Sequence, residues 1–224
     1  NKWCIWITAE QKEKAYLTES IRKRIEAVKK FRLASSDKSA NLMANTAYKF
    51  REQHVAKKYS MIIPTVTSER REYLPMSILE KDTVVLAPNN VIYDPEIYVL
   101  GVLSSKMHAV WLRAVAGYLG SSFRYSSVIV YNNFPIPPLT EAEKANIEDK
   151  SFAVLDAREN HPEKTLADMY DPDKMPDDLR AAHQELDEAV DAVYRKKPFE
   201  NDEERLAHLF DLYEAMTASE RKKS

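Results

Sequence analysis

All three glycines of this 224-residue chain fall in one stretch, at Gly101, Gly117 and Gly120. The stretch spans 101–138 and reads GVLSSKMHAVWLRAVAGYLGSSFRYSSVIVYNNFPIPP. Within it a helical spacing of apolar residues gives way to an alternating one, and the run halts at Pro135, Pro137 and Pro138. Lys106, Arg113 and Arg124 are interleaved with Trp111, Tyr118, Phe123 and Tyr125. Cations and aromatics around a glycine-bracketed polar loop are what a surface needs to hold phosphate and reach base edges.

The rest of the chain divides at the prolines. Before them the pattern is mixed. Lys2–Thr8 alternates as a strand does, and Thr8-x-x-Gln11 opens a helical pattern reaching about Phe31. Ser35–Asn45 reads as a loop. Met61–Ile63, Thr83–Leu86, Val91–Tyr93 and Ser127–Tyr131 read as strands, the last being the clearest. Ser104 or Ser105 caps a helix whose apolar stripe is Met107, Val110, Trp111, Ala114, Val115 and Tyr118, with Gly117 placed to end it. From Tyr118 to Arg124 the residues alternate, so an extended segment would carry Tyr118, Gly120, Ser122 and Arg124 on one face. After the prolines the pattern is helical. Thr140-x-x-Glu143 is a capping box opening a helix to about Glu159. A Pro- and Asp-rich connector follows, then a helix carrying Leu179, Ala182, Leu186, Val190 and Val193, and one capped by Asn201. The expected fold class is α+β: a mixed α/β domain over 1–138, then a small all-helical domain over 139–224.

Charge follows the same divide. Residues 1–134 carry 20 Lys and Arg against 12 Asp and Glu, a net +8; residues 135–224 carry 13 against 23, a net −10. The front part is suited to a polyanion, although charge runs also simply solvate helix faces. Several function classes drop out. No GxGxxG, Walker, GxSxG or HExxH pattern occurs. Cys4 is the lone cysteine and the five histidines are dispersed, so no disulfide or zinc spacing is encoded, and a reducing cytoplasm fits. Glu10-Gln11-Lys12 spells a nuclease-like ExK, but at the start of a helix rather than on a strand. No apolar run is long enough for a membrane span. The opening lacks an initiator Met and a signal-peptide layout, and is expected to have been cut from a longer polypeptide.

What remains is a set of contact residues. Ser68-Glu69-Arg70-Arg71-Glu72-Tyr73 is dense in groups for phosphate and base edges, or for an internal Glu–Arg network. Arg70, Arg71, Lys106, Arg113 and Tyr125 are candidates for the DNA backbone. Arg113, as a helix-face Arg, is first expected to be a structural ion-pair partner and only second a DNA contact. Arg124, flanked by aromatics, is the first candidate for reading a base.

At SERREYLPM, GVLSSKMHAVWLRAV and FRYSSVIVYNNFPIP the chain resembles the target-recognition region of MmeI-like DNA methyltransferases of type IIG/IIL restriction-modification systems. HPEKTLADMYDPDKMPDDLR, AHQELDEAVDAVYRKKPFENDEERL and LFDLYEAM resemble that family's C-terminal helices. NNFPIPPLTEAEK is also similar to the way type I specificity-subunit recognition domains pass into their helices. The resemblance implies recognition of double-stranded DNA for adenine-N6 methylation. It implies an upstream methyltransferase domain of the same polypeptide that uses S-adenosylmethionine, while this part holds no cofactor and performs no catalysis. It implies base-selecting positions at Pro88, Asn89, Gly120, Ser122 and Arg124. Gly120 has no side chain, so a neighbour, water or DNA shape would read there. The alternative left open is a non-catalytic module that binds RNA or another protein.

Overall fold

The computed structural model describes residues 3–221, which form two compact units that meet in sequence between His54 and Val55. The first unit is helical: α1 (Lys12–Leu17), α2 (Glu19–Leu33), α3 (Lys38–Leu42) and a 3-10 turn at Met43–Thr46. Ile7, Ala15, Ile25 and Ala47 make its small core. Arg32 closes it by donating to the carbonyls of Met43, Thr46 and Lys49 at 2.8, 3.1 and 2.9 Å.

Three expectations change here. Lys2–Thr8 forms no strand over its described residues; Trp3 is 97% exposed and Ile7 alone is buried, so the alternation has neither a partner strand nor a core to face. Lys2 lies outside the described residues. The long helix is broken at Thr18, a β-branched residue with extended backbone. Ser35–Asn45 contains α3 because Asp37 caps it, accepting from the Ser39 N–H at 2.8 Å.

The second unit holds two antiparallel three-stranded sheets. β1 (Tyr59–Ile63) lies between β3 (Ser77–Glu80) and β4 (Asn90–Tyr93). β6 (Ser122–Arg124) lies between β2 (Val66–Ser68) and β5 (Gly117–Leu119). Between β4 and β5 in sequence come α4 (Ile97–Ser104) and α5 (Lys106–Val115), and after β6 come α6 (Glu141–Glu159), the single turn α7 (Leu166–Met169), α8 (Asp177–Tyr194) and α9 (Asp202–Arg221). Thr140 and Glu143 make the capping box, and Asn201 accepts from the Glu204 N–H at 2.9 Å. Ser105 is the cap of α5, accepting from His108 N–H.

Two strands expected from sequence are absent. Thr83–Leu86 follows a turn closed by Thr83 N–H on the Glu80 carbonyl, and the strand is the preceding Ser77–Glu80. Ser127–Tyr131 is a π-helical turn. Only Val130 in it is buried, its carbonyl taking the Trp111 Nε1–H at 3.1 Å, while Asn133 donates to the carbonyls of Val128 and Ile129. Those side-chain donors satisfy carbonyls that no neighbouring strand pairs among the described residues. One continuous core takes Met61, Met76, Trp111 and Tyr125 from before residue 138 and Ile147, Leu179, Leu186 and Leu209 from after it. No helix among the described residues is long and apolar enough to cross a membrane.

Candidate nucleic-acid interface

Gly120 sits at φ +62°, the left-handed region, and with Ser121 makes a two-residue loop. Such a loop folds 117–124 into a hairpin rather than one extended run. The register pairs Gly117 with Arg124, Tyr118 with Phe123, and Leu119 with Ser122. β2 extends the ladder with Val66 beside Arg124, Thr67 beside Phe123 and Ser68 beside Ser122. Directly paired residues share a face and neighbours alternate. One face, carrying Thr67 and Phe123, is buried; the other carries Val66, Ser68, Leu119, Ser122 and Arg124.

This divides the expected face. Ser122 and Arg124 do share the outward side. Tyr118 belongs to the opposite face, its ring against Phe123 at 5.1 Å, and Gly120 is the turn. Arg124 is exposed, and its guanidinium has no ion-pair or hydrogen-bond partner among the described residues. On one side of it stands Val66; on the other, Gly117 leaves open space, since a Cβ built there meets nothing within 4 Å.

The Pro88–Asn89 turn is brought to the same place by Thr65, a residue that no sequence pattern singled out. Thr65 precedes β2; its hydroxyl donates to the Pro88 carbonyl, and its own carbonyl accepts from the Tyr125 N–H at 2.8 Å. Asn89 turns back on Leu86, donating to its carbonyl through both backbone and side chain. Two segments about 35 residues apart in sequence thus meet across a single threonine.

The expected backbone-contact residues are scattered by comparison. Arg70 is exposed and paired with Asp173 at 2.5 Å. Arg71 is half-buried. Arg113 makes no ion pair among the described residues: it donates to the carbonyls of Arg71 and Glu72 at 2.9 and 3.2 Å, fixing the segment after β2. Glu72 in turn accepts from Arg180 at 2.7 Å, so the SERREY stretch does form an internal Glu–Arg network, reaching across to α8. Lys106 lies 3.8 Å from Asp202, and its backbone N–H donates to Asp187 at 2.6 Å. Tyr125 is 2% exposed, with its hydroxyl 3.1 Å from His108 Nε2; burial raises its pKa. No group of three or more His, Cys, Asp or Glu placed to hold a metal ion occurs among the described residues.

Comparison with known proteins gives concordant matches. The family model "MmeI, target recognition domain" matches residues 1–138, and "MmeI, C-terminal domain" matches 139–219. The chain is 44% identical over 216 residues to DNA methyltransferase A of Bacillus subtilis (strain 168), covering 96% of this chain and 24% of that protein. It is similar to the solved structure of the type IIL restriction-modification enzyme MmeI in complex with DNA, with a TM-score of 0.90 and 37% identity, over 96% of this chain and 29% of that one. The chain therefore spans about a quarter of the length of such relatives.

Proposed function

This chain belongs to the MmeI target recognition domain family, and from that premise we propose that it reads double-stranded DNA through the outward face of the β2-β6-β5 sheet, setting an adenine before the methyltransferase domain of the same polypeptide. The observation that carries this reading is Arg124: an exposed guanidinium without a counter-ion among the described residues, on a sheet face otherwise free of charge, beside Ser122 and the tethered Pro88–Asn89 turn. An Arg fork matches the paired acceptors of guanine in the major groove, and serine can serve as donor or acceptor to several bases. Gly120 acts through the turn it allows, and Asn89 through an amide still free to offer its oxygen.

Arg70 and Arg71 are the phosphate contacts, Arg70 exchanging Asp173 for DNA. Lys106, Arg113 and Tyr125 act at one remove in this reading, holding the segments that touch DNA. The described helices after residue 138 brace the recognition part of 1–138. Methyl transfer and S-adenosylmethionine belong to a catalytic domain elsewhere in the polypeptide. The glycines here do not fit a cradle for that cofactor: Gly101 lies against Ile147 and Ser151, and the other two are in the hairpin.

The test is Arg124→Ala and Ser122→Arg in the full-length protein, read by sequencing methylated adenines at single-base resolution. Arg124→Ala should relax or abolish modification, and Ser122→Arg should shift preference at one base pair. An unchanged methylated motif in both would remove this face from DNA. Indifference to duplex with tight binding of single strands would instead move the reading to RNA.

A further inference from the structure

The hairpin pairing puts a residue on the outward face that the linear alternation had left off it. Leu119 stands directly opposite Ser122 and on the same side as Arg124. Its side chain is 59% exposed, and Val66, beside Arg124 on the next strand, is 40% exposed. A solitary exposed leucine is ordinary on a protein surface. This one is set apart by position: it lies at the end of β5, next to the loop of Gly120 and Ser121, on a short face whose one charge is an unpaired cation. That cation selects a polyanion as the occupant. Leucine offers a base edge no donor or acceptor. The feature of a major-groove edge that rewards an apolar side chain is the 5-methyl group of thymine.

We propose that Leu119 is a specificity-determining residue that reads the 5-methyl group of a thymine beside the base pair contacted by Ser122. This rests on the DNA-reading function of the sheet face given above. Arg124 and Ser122 supply polar readout, and Leu119, with Val66 on the far side of Arg124, supplies the apolar part. The methyl group is buried against Leu119 in the complex, and that burial discriminates thymine from the same base without its methyl.

The experiment uses the full-length methyltransferase and the motif established by methylome sequencing. Duplexes are made in which each thymine in the motif and its flanks is singly replaced by deoxyuridine, which removes the methyl group and keeps every hydrogen-bonding edge. At one position the wild-type kcat/KM for methyl transfer should fall roughly fourfold, the size of one buried methyl group. Leu119→Ala should erase the difference between thymine and uridine at that position, and Leu119→Met should retain part of it. Arg124→Ala is assayed alongside. If no uridine substitution affects the wild type while Arg124→Ala alters methylation, the role of Leu119 is overturned and the reading of DNA by this face stands. If Leu119→Ala slows thymine and uridine duplexes equally and leaves their ratio intact, the role is likewise overturned. If neither variant changes methylation, both readings fail together.

Discussion

Two histidines are sealed in the second unit, and their burial gives the protein a pH dependence. His108 and His183 are both 0% exposed, and burial pushes each down to about 3. Each bonds a tyrosine through Nε2, Tyr125 at 3.1 Å and Tyr170 at 2.8 Å, and each leaves Nδ1 without a partner among the described residues. Unfolded, they titrate near the ordinary imidazole value of 6.5, so the unfolded state takes up more protons below that pH and stability falls as pH drops from about 6.5 toward 3. Asp187 works in the opposite sense. Burial pushes it up to about 7 from 3.8, against the pull of bonds from Lys106 N–H and Tyr73 O–H. The folded state therefore holds its proton longer, and stability declines as pH rises from about 4 through 7. Urea midpoints measured from pH 4 to 9 should rise to about pH 6.5 and level off above 7, and Asp187→Asn should steepen the rise by removing the opposing loss between about pH 4 and 7; a wild-type profile flat below pH 6.5 would contradict the sealed histidines. At this scale the sequence was legible where chemistry is local. Thr140 with Glu143, Ser105 and Asn201 are caps readable from neighbouring letters. Thr65 and Asp187 were not legible, because their partners lie more than 20 residues away.

Elements turn on a few close approaches. In α4, a Cβ added to Gly101 would meet Ser151 Oγ at 2.3 Å and Ile147 Cγ2 at 2.6 Å on α6. Ser151 cannot simply swing aside without losing its bond to the Ile147 carbonyl at 2.6 Å. Gly101→Ala should therefore lower stability by about 1–3 kcal/mol, the usual cost of overpacking, seen as a drop in Tm. Adding Ser151→Ala should recover part of it. A Gly101→Ala protein as stable as wild type would mean that α4 and α6 sit farther apart. The long helices after residue 138 were readable from local signals: the capping box of α6, the apolar repeat of α8 and the Asn201 cap of α9. α4 was missed because it is apolar all round, which periodicity cannot distinguish from a buried strand. SVIVY failed for the same reason in reverse: its residues favour strands, but Ser126 and Asn133 satisfy its backbone as a turn. The segment 117–124 was correctly read as extended. Its fold-back at Gly120 was hidden because one glycine in an alternating run marks either a kink or a reversal.

At the scale of the molecule, the excess of cations before residue 135 and of anions after it becomes a set of ties rather than two separate fields. Arg70 meets Asp173 and Lys106 meets Asp202, while Glu72 and Arg180 pair in the opposite sense. Part of the basic charge suggested by composition is therefore already engaged, and Arg124 is the member of the reading face left unpaired among the described residues. For the full-length protein, affinity for duplex DNA should fall with salt at a log–log slope of about −0.9 per phosphate neutralised. Arg70→Ala or Arg71→Ala should each make that slope shallower by about one, uniformly across sequences. Arg124→Ala should act mainly on which sequence is bound. Equal slopes in Arg70→Ala, Arg71→Ala and wild type would exclude both as phosphate contacts. The mixed class of the fold was readable from composition and patterning; the ties were not, since a charge count does not say which charges meet.

The hydrophobic core running across residue 138 also bears on attempts to transplant target preference between enzymes of this kind. Tyr73 bonds Asp187, Arg158 donates to the Met76 carbonyl, and Tyr194 donates to the Pro135 carbonyl. A chimera spliced at the prolines would ask foreign helices to match all three seams at once. Exchanging Ser122, Leu119 or Arg124 disturbs none of them, so if the proposed reading face holds, new preferences are within reach of point changes on a chassis left whole.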